Sequence, residues 1–405
     1  MKGASVSAVR PAPGRRARGA LLGLLACAAA AAQAQDVRGS VTGELRVFAE
    51  APPFAAQRRH GASVAAELEA NWRWQGGALA LRSYLRRDAA DAAGSYADLR
   101  EALWLREDGM WQWSAGVGMV YWGVSESNHL VDIVNQSDLV ADPDGKAKLG
   151  QPMLRLSWRS REIGRVDALI LPYFRERRFG GAKSRLRLEP QVGEADGGAA
   201  LAGRWHPDAV VRWSKSAAGA DLGAYVFRGI SREPDLAPRR AGAGMAWQAS
   251  YRPITQFGAD FQIPQGGMLW KGEMLRRSGQ GRTFSAFVLG GEYTVPAATG
   301  ELGFLLEWSR DYRDASAPST AFAKALFAGL RYRLGDLQDS DVLAGLLYDK
   351  EGAARQWSIE ANRRLGADWK LQLKARKFVT SGSTPYPLTI FGRESYFQLQ
   401  LSRFF

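Results

Sequence analysis

The chain ends in the stretch Ser395-Tyr-Phe-Gln-Leu-Gln-Leu-Ser-Arg-Phe-Phe405. Apolar side chains recur at Phe397, Leu399, Leu401 and Phe405, and polar residues occupy most of the positions between them. Side chains of an extended strand alternate between its two faces, so this spacing predicts a strand with one apolar and one polar face. Two structures accommodate such a strand: the amphipathic edge of a soluble β-protein, or the wall of a β-barrel.

The same stretch resembles the C-terminal signal of bacterial outer-membrane β-barrel proteins. In those proteins the last strand pairs with the first, and its terminal aromatic residue marks the chain for insertion. The resemblance implies an insertion signal for the barrel assembly machinery at Phe397, Leu399, Leu401 and Phe405. Arg403 departs from the pattern, because the third position from the end is usually apolar.

The N-terminus has the layout of a secretory signal peptide. A long basic region precedes an apolar stretch at Leu21–Ala32, and Ala32-Gln33-Ala34 provides a small-x-small cleavage site. We therefore predict a signal peptide over residues 1–34 and one exported barrel domain over residues 35–405. Cys27 allows a looser alternative, the cleavage box of a lipoprotein.

Composition narrows the class of the exported domain. No run of about 18 apolar residues follows the signal, so the sequence offers no transmembrane helix. Cys27 is the only cysteine, which excludes a disulfide scaffold and a cysteine-ligated metal site. The net charge is +13, but no basic block interleaved with aromatic residues suggests a nucleic-acid partner. A membrane location then requires a closed barrel, because closure satisfies every backbone group in lipid.

Segments of alternating polarity, separated by turns, continue along the chain. Val37–Ala49 is the first predicted strand, and the second ends on Trp72 and Trp74, an aromatic pair that suits a lipid–water interface. Short and long connections alternate, and one phase of alternation persists across Pro253, so we predict a single long strand over Trp247–Ile263. The predicted fold class is all-β: a transmembrane antiparallel up-and-down β-barrel of about 18 strands, or about 16 if two weak strands merge.

Several stretches resemble uncharacterised, porin-like outer-membrane proteins of proteobacteria. They are Trp122-Gly123, His129-Leu-Val-Asp-Ile-Val-Asn-Gln-Ser-Asp-Leu-Val140, Leu149–Met153, Pro172–Arg177, Trp270–Met274, Glu292–Thr294 and the terminal strand. The resemblance covers most of the exported domain. It implies a barrel located in the bacterial outer membrane, but neither a substrate nor any site residue.

The segment 124–150 is the predicted third outer loop, and it is acidic. In general porins this loop folds into the lumen, and its acids face basic residues of the wall across a constriction. By that analogy we predict a constriction formed by Glu126, Asp132, Asn135, Asp138 and Asp142. The basic wall of the lumen is predicted at Arg331, Arg333, Arg364, Lys370, Lys374 and Arg376. An exposed, solvated loop is the alternative, and helical spacing at Leu130, Ile133 and Val134 predicts a short helical turn.

The sequence thus predicts an outer-membrane porin-like channel for passive diffusion of small hydrophilic solutes, with a preference for anions that follows only from the basic wall. Two alternatives stay open: a substrate-specific transporter or export channel for hydrophobic or lipid-like molecules, and a structural or adhesive barrel without transport. We expect no enzyme. Ser125, His129 and Asp132 are the residue types of a catalytic triad, but such residues also occur together by chance in a polar loop. No cofactor or metal is expected. The expected partners are outer-membrane lipid, lipopolysaccharide, the barrel assembly machinery and a small solute.

Overall fold

Eighteen antiparallel strands form one closed sheet. The computed structural model describes residues 34–193, 200–242, 244–351, 353–381 and 387–405. Residues 1–33 of the predicted signal peptide lie outside the described residues, and only its last residue, Ala34, is described. Within the described ranges, no helix is both long and apolar enough to cross a membrane.

Strands that follow each other in the chain are neighbours in the barrel wall, and three short strands lie outside the wall. In chain order the strands are β1 Asp36–Phe48, β2 His60–Trp74, β3 Gly77–Asp88, β4 Tyr96–Asp108, β5 Trp111–Gly118, β6 Gln151–Ser160, β7 Gly164–Leu171, β8 Val192–Gly193, β9 Asp208–Ala217, β10 Ala220–Ile230, β11 Asp235–Ala241, β12 Gly244–Ser250, β13 Pro253–Gln265, β14 Met268–Gly279, β15 Gly281–Ala297, β16 Gly300–Asp311, β17 Lys324–Leu334, β18 Asp341–Asp349, β19 Ala354–Leu365, β20 Trp369–Thr380 and β21 Tyr396–Phe404. Strands β8, β11 and β12 form a separate sheet. Single 3-10 turns occur at Ala92–Gly94 and Thr389–Phe391.

The barrel closes between its first and last strands. β1 pairs with β2 on one side and with β21 on the other. Leu45 lies opposite Leu399, and the backbones of Gly39 and Phe405 exchange hydrogen bonds at 2.8 and 3.0 Å. The predicted fold class, with its strand number and its pairing of last strand with first, is therefore confirmed.

Alternate side chains face opposite sides of the wall. In β1, Val41 and Leu45 lie on the outside and are 42% and 44% exposed, whereas Glu44 between them points inward and is buried. An apolar exterior and a charged interior are the pattern of a barrel that spans lipid.

The two rims of the barrel differ in the length of their connections. The short-turn rim carries tight turns such as residues 75–76 and 161–163, and the long-loop rim carries longer segments such as 49–59 and 119–150.

Large aromatic side chains stand on the outside near both rims. Trp74, Trp111 and Trp369 are exposed beside the short-turn rim. Trp308 and Trp357 are exposed in the half of the wall nearer the long-loop rim. Amphipathic rings favour the boundary between hydrocarbon and water, so their positions mark two interfacial belts.

The prediction of one long strand across Pro253 is wrong. β12 ends at Ser250 and pairs with β11, whereas β13 starts at Pro253 and pairs with β10 and β14. Proline lacks the N–H that a mid-strand residue donates, and it is tolerated as the first residue of a strand. Tyr251 between the two strands is fully buried against Phe174, with ring centroids 4.9 Å apart, which removes it from the wall.

The described parts of the fourth loop, residues 172–193 and 200–207 between β7 and β9, lie at the mouth on the long-loop rim. Arg185 Nε donates to Glu394 Oε2 of the last loop at 2.7 Å, and both side chains are buried. Gln57 of the first loop donates to the Ser184 carbonyl at 2.7 Å. Asp91 of the second loop accepts from the Gly181 amide at 2.7 Å. These contacts tie the fourth loop to three other loops of the mouth, of which the last loop lies almost opposite in the ring of strands.

Candidate functional site

The third loop, residues 119–150 between β5 and β6, folds into the barrel. It contacts inward-facing side chains of strands far away in the sheet, among them Glu273 of β14, Glu307 of β16 and Lys374 of β20. A loop that stayed above the rim would not reach these strands. No helix forms in it, so the predicted helical turn is wrong, and a simple turn occupies residues 130–131.

Two carboxylates of the wall hold the start of the loop. Glu273 is fully buried and accepts from the Val124 amide at 2.7 Å, from the Ser125 amide at 2.8 Å and hydroxyl at 2.7 Å, and from the Val131 amide at 3.1 Å. Glu307 accepts from the amides of residues 126 and 127 and from the hydroxyl of Ser127 at 2.5–2.8 Å. Several N–H and O–H donors converge on each carboxylate, and such charge-assisted bonds are strong.

Gly123 allows this approach. Its φ is +118°, a backbone conformation that side-chain-bearing residues rarely adopt. A Cβ at this position would lie 3.0 Å from Glu273 Oε1. The Trp122-Gly123 dipeptide therefore serves the geometry of the loop.

Ion pairs join the middle of the loop to the opposite wall. Glu126 Oε2 lies 2.5 Å from Arg331 Nη2, and Arg331 also pairs with Glu292 at 2.9 Å. Asp142 lies 3.3 Å from Lys374 Nζ. Asp144, which the predicted constriction omits, pairs with Arg376 at 2.6 Å. Glu126 and Asp142 thus touch the predicted basic wall directly, without an open gap.

The charges around Asp144 favour its ionised form. Burial alone would raise the pKa of the Asp144 carboxyl, but Arg376 and Lys374 outweigh burial and lower it. The carboxylate stays within 3.3 Å of both cations. This end of the loop is therefore fixed to β20 as an ion cluster.

The other three predicted constriction residues act inside the loop or near its base. Asn135 accepts from the Val120 amide at 2.9 Å and donates to the Gly118 and Leu149 carbonyls at 3.0 and 2.8 Å, which ties the two ends of the loop together. Asp132 pairs with Lys148 at 2.8 Å. Asp138 is buried and accepts from the Tyr96 hydroxyl.

The predicted basic wall separates into two groups. Arg331, Lys374 and Arg376 contact the third loop. Arg333, Arg364 and Lys370 lie nearer the short-turn rim, and no ion pair with the loop is recorded for them among the described residues. Arg333 lines a cavity beside the loop.

One side of the lumen is filled by apolar contacts. Val131, Ile133 and Val134 of the loop are buried against inward-facing side chains of β6, β7, β9, β10 and β13. These wall residues are Met153, Leu169, Leu171, Val210, Tyr225, Phe227 and Ile254. The loop is therefore anchored by hydrophobic burial on one side and by ion pairs on the other.

Cavities lined by charged residues lie beside the loop, and two of them are described for this part of the barrel. The first, of about 440 Å³, lies between the loop and β17–β19 and is lined by Glu126, Lys146, Arg331, Arg333 and Glu360 among others. The second, of about 550 Å³, lies below Val124, against β6, β7, β9, β10 and β13. The first cavity carries both signs of charge, and the second is mainly basic.

Two of the three residues considered as a catalytic triad have other partners. The hydroxyl of Ser125 donates to Glu273, and Asp132 pairs with Lys148. In the ranges that the structure describes, no group of three or more His, Cys, Asp or Glu side chains is placed to hold a metal ion.

Comparison with known proteins gives only a weak structural likeness. No protein-family model matches the chain, and no curated protein matches it. A triple mutant of the Rhodopseudomonas blastica porin is similar at 12% identity and a TM-score of 0.44, over 91% of this chain and 99% of that one. Another mutant of that porin gives 13% identity with the same TM-score and coverage. Values this low assign neither a family nor a function to the chain.

Proposed function

We propose that this protein is an outer-membrane channel through which small hydrophilic solutes diffuse passively past the third loop. The observation that carries the proposal is a loop inside a closed barrel, fixed by Glu273, Glu307 and ion pairs, with a polar cavity beside it. A wall of this strand number encloses a lumen too wide for its own side chains to fill. Water and polar solutes are the natural content of a charged lumen, and no chemical step is needed for passage.

The proposed location is the bacterial outer membrane. The apolar exterior and the two belts of tryptophan support it, because they match hydrocarbon and its two interfaces. Outer-membrane lipid and lipopolysaccharide are then the surroundings. The outward-facing Phe397 and Leu401, with Leu399 and Phe405 in the same phase, support an insertion signal read by the barrel assembly machinery.

The third loop is proposed to act as a steric and electrostatic filter. Direct contact of Glu126 with Arg331, and of Asp142 with Lys374, closes the gap between acids and wall at those points. Solutes are then expected to move through the adjoining polar space, where the first cavity measures about 440 Å³. Solute size is limited by how tightly the loop is held.

Planar-bilayer recording on the purified full chain tests the proposal. We expect stepwise ion currents, and larger unit steps for Arg331→Ala, because that change removes the pair with Glu126 and widens the lumen. Arg276→Ala is the matched control, since this exposed arginine lies on the outward face of β14 and its loss leaves the lumen unchanged. Absence of currents from the wild-type chain and from Arg331→Ala would favour the structural or adhesive barrel.

A narrower, substrate-specific transporter is the second candidate. The contacts of the fourth loop across the mouth favour it, since the buried pair of Arg185 with Glu394 restricts entry. Liposome swelling distinguishes the two. A diffusion channel admits neutral sugars in order of size, whereas a specific transporter admits one class of solute irrespective of that order.

A further inference from the structure

The second cavity lies between the short-turn rim and the third loop, on the side of the lumen away from the predicted basic wall. The turn between β6 and β7 and the adjoining ends of β9 and β10 form its sides. Val124 of the third loop and Asp260 of β13 complete it. Its volume of about 550 Å³ exceeds that of a small solute.

Basic side chains dominate the lining of this cavity. Five basic residues line it, namely Arg159, Arg161, Arg165, Arg212 and Lys215, against the two acidic residues Asp221 and Asp260. Lys215 shares the outward phase of Val211 and donates to the Glu162 carbonyl, so the four arginines carry the charge of the cavity. Both acids already have partners. Asp260 receives two parallel hydrogen bonds from Arg212 at 2.7 and 2.9 Å, and Asp221 accepts from the Ser216 hydroxyl. Arg212 is therefore neutralised by Asp260, and Arg165 pairs with Asp167, whereas no acidic partner is recorded for Arg159 and Arg161 among the described residues.

Two of the arginines have donors to spare. Arg159 is exposed and makes a single long contact, 3.4 Å to Gln112 Oε1. Arg161 is exposed, and within the described residues no side-chain partner is recorded for it. Arg165 is oriented by Asp167 at 2.9 Å, which Arg155 also contacts. The cavity thus combines two guanidinium groups with free donors and a third that is held in place.

We propose that this cavity binds a small oxyanion of the phosphate, sulfate or dicarboxylate class and acts as an anion subsite on the solute path. Planar guanidinium groups match such anions with paired hydrogen bonds. The proposal rests on the proposed channel and names the solute class of one of its subsites. A free oxyanion and the phosphate of a lipid headgroup share this chemistry. The inward direction of Arg159, Arg165 and Arg212 favours the free anion.

Thermal unfolding of the full chain in lipid-free detergent, followed by tryptophan fluorescence, tests binding without requiring a channel. Inorganic phosphate should raise the unfolding midpoint above that in chloride of equal ionic strength, because a ligand that binds only the folded state stabilises it. In the double variant Arg159→Gln/Arg161→Gln we expect the apparent affinity to fall by about tenfold or more, since charge-assisted hydrogen bonds to the anion are lost. Both arginines are exposed, so folding should be preserved.

The matched control is Arg73→Gln/Arg106→Gln. Both residues are exposed near the short-turn rim, neither lines the cavity, and the net charge changes equally. An equal loss of phosphate binding in this control, or no phosphate-specific shift in the wild type, would overturn the proposal. Stabilisation seen only after adding anionic phospholipid would also overturn it, in favour of a lipid headgroup.

Planar-bilayer recording tests whether the subsite acts during transport. Phosphate added to chloride solution should reduce the current through the wild-type chain and the control, but not through Arg159→Gln/Arg161→Gln. Absence of any current would count against the proposed channel alone, because the thermal measurement still reports on binding. Currents that phosphate reduces equally in all three proteins would refute the subsite.

Discussion

Replacing Glu273 by glutamine should release the start of the third loop from the wall. One buried carboxylate receives four hydrogen bonds from Val124, Ser125 and Val131, and no basic side chain is recorded as its partner among the described residues. Glutamine keeps the size of the side chain but removes its charge. Its Oε1 can still accept, whereas its amide nitrogen would point donors at a backbone N–H.

The magnitude follows from these bonds. A hydrogen bond to a charged group contributes about 1.5–3 kcal/mol, against ~1 kcal/mol for a neutral pair, and a buried donor left unpaired costs about 1–3 kcal/mol. Weakening three bonds and stranding the Val131 amide should destabilise the docked loop by about 3 kcal/mol or more. That difference is roughly a hundredfold in the population of the undocked loop.

Hydrogen–deuterium exchange on the full chain in detergent measures this population. Amides of Val124, Ser125 and Val131 should exchange about a hundredfold faster in Glu273→Gln, with the barrel strands unchanged. Glu301→Gln is the control, because Glu301 also faces the lumen but is exposed near the short-turn rim. A carboxylate without a counter-charge is costly to bury. If glutamine relieves that cost, exchange in the loop stays equal to the control or slows, and the reasoning fails.

Three further changes test the loops. Gly123→Ala should undock the third loop by at least about 1 kcal/mol, seen as faster exchange at the same amides, because φ is +118° there. Burial alone would raise the pKa of Glu233, but Arg277, Arg313 and Arg177 lower it to about 2. The stabilisation that ionised Glu233 gives to the folded state is therefore full above its ordinary pKa of 4.5 and is lost as pH falls toward 2. Cleavage by pepsin within 231–252 should rise over that pH window, and cleavage of Glu233→Gln should not change with pH in the same way. Arg185→Met should leave Glu394 unpaired, loosen the fourth loop and increase sugar uptake in liposome swelling; unchanged uptake would show that the mouth is open already.

Local alternation predicted most of the wall. Each strand carries its own period-two pattern, so β1, β2 and β21 can be located from the residues between Asp36 and Phe405 without knowledge of their neighbours. The exception is the segment around Pro253. The residues on both sides of Pro253 keep one phase of alternation, yet Tyr251 lies in a buried cluster. A tertiary contact of that kind cannot be predicted from the alternation.

The candidate site was predictable only in part. Acids of the loop and bases of the wall, such as Glu126 and Arg331, were identifiable as opposite charges on separate segments. Glu273 and Glu307 were missed because an acidic residue that accepts backbone amides looks like any other inward-facing residue. For Glu273 a signal was available, because it is the one acid on the inward face of β14, but Glu307 shares the inward face of β16 with Glu301 and Asp311.

The fold can be predicted from local sequence, because alternation and turns lie in short segments, each of which pairs its backbone with the next segment, and β1 and β21 close the ring. The path of the third loop cannot be predicted in this way. Its partner Glu273 lies 142 positions from Val131, and Arg376 lies 232 positions from Asp144. Side chains that far apart in sequence meet only after the wall has curved shut, since closure fixes which residues face each other across the lumen.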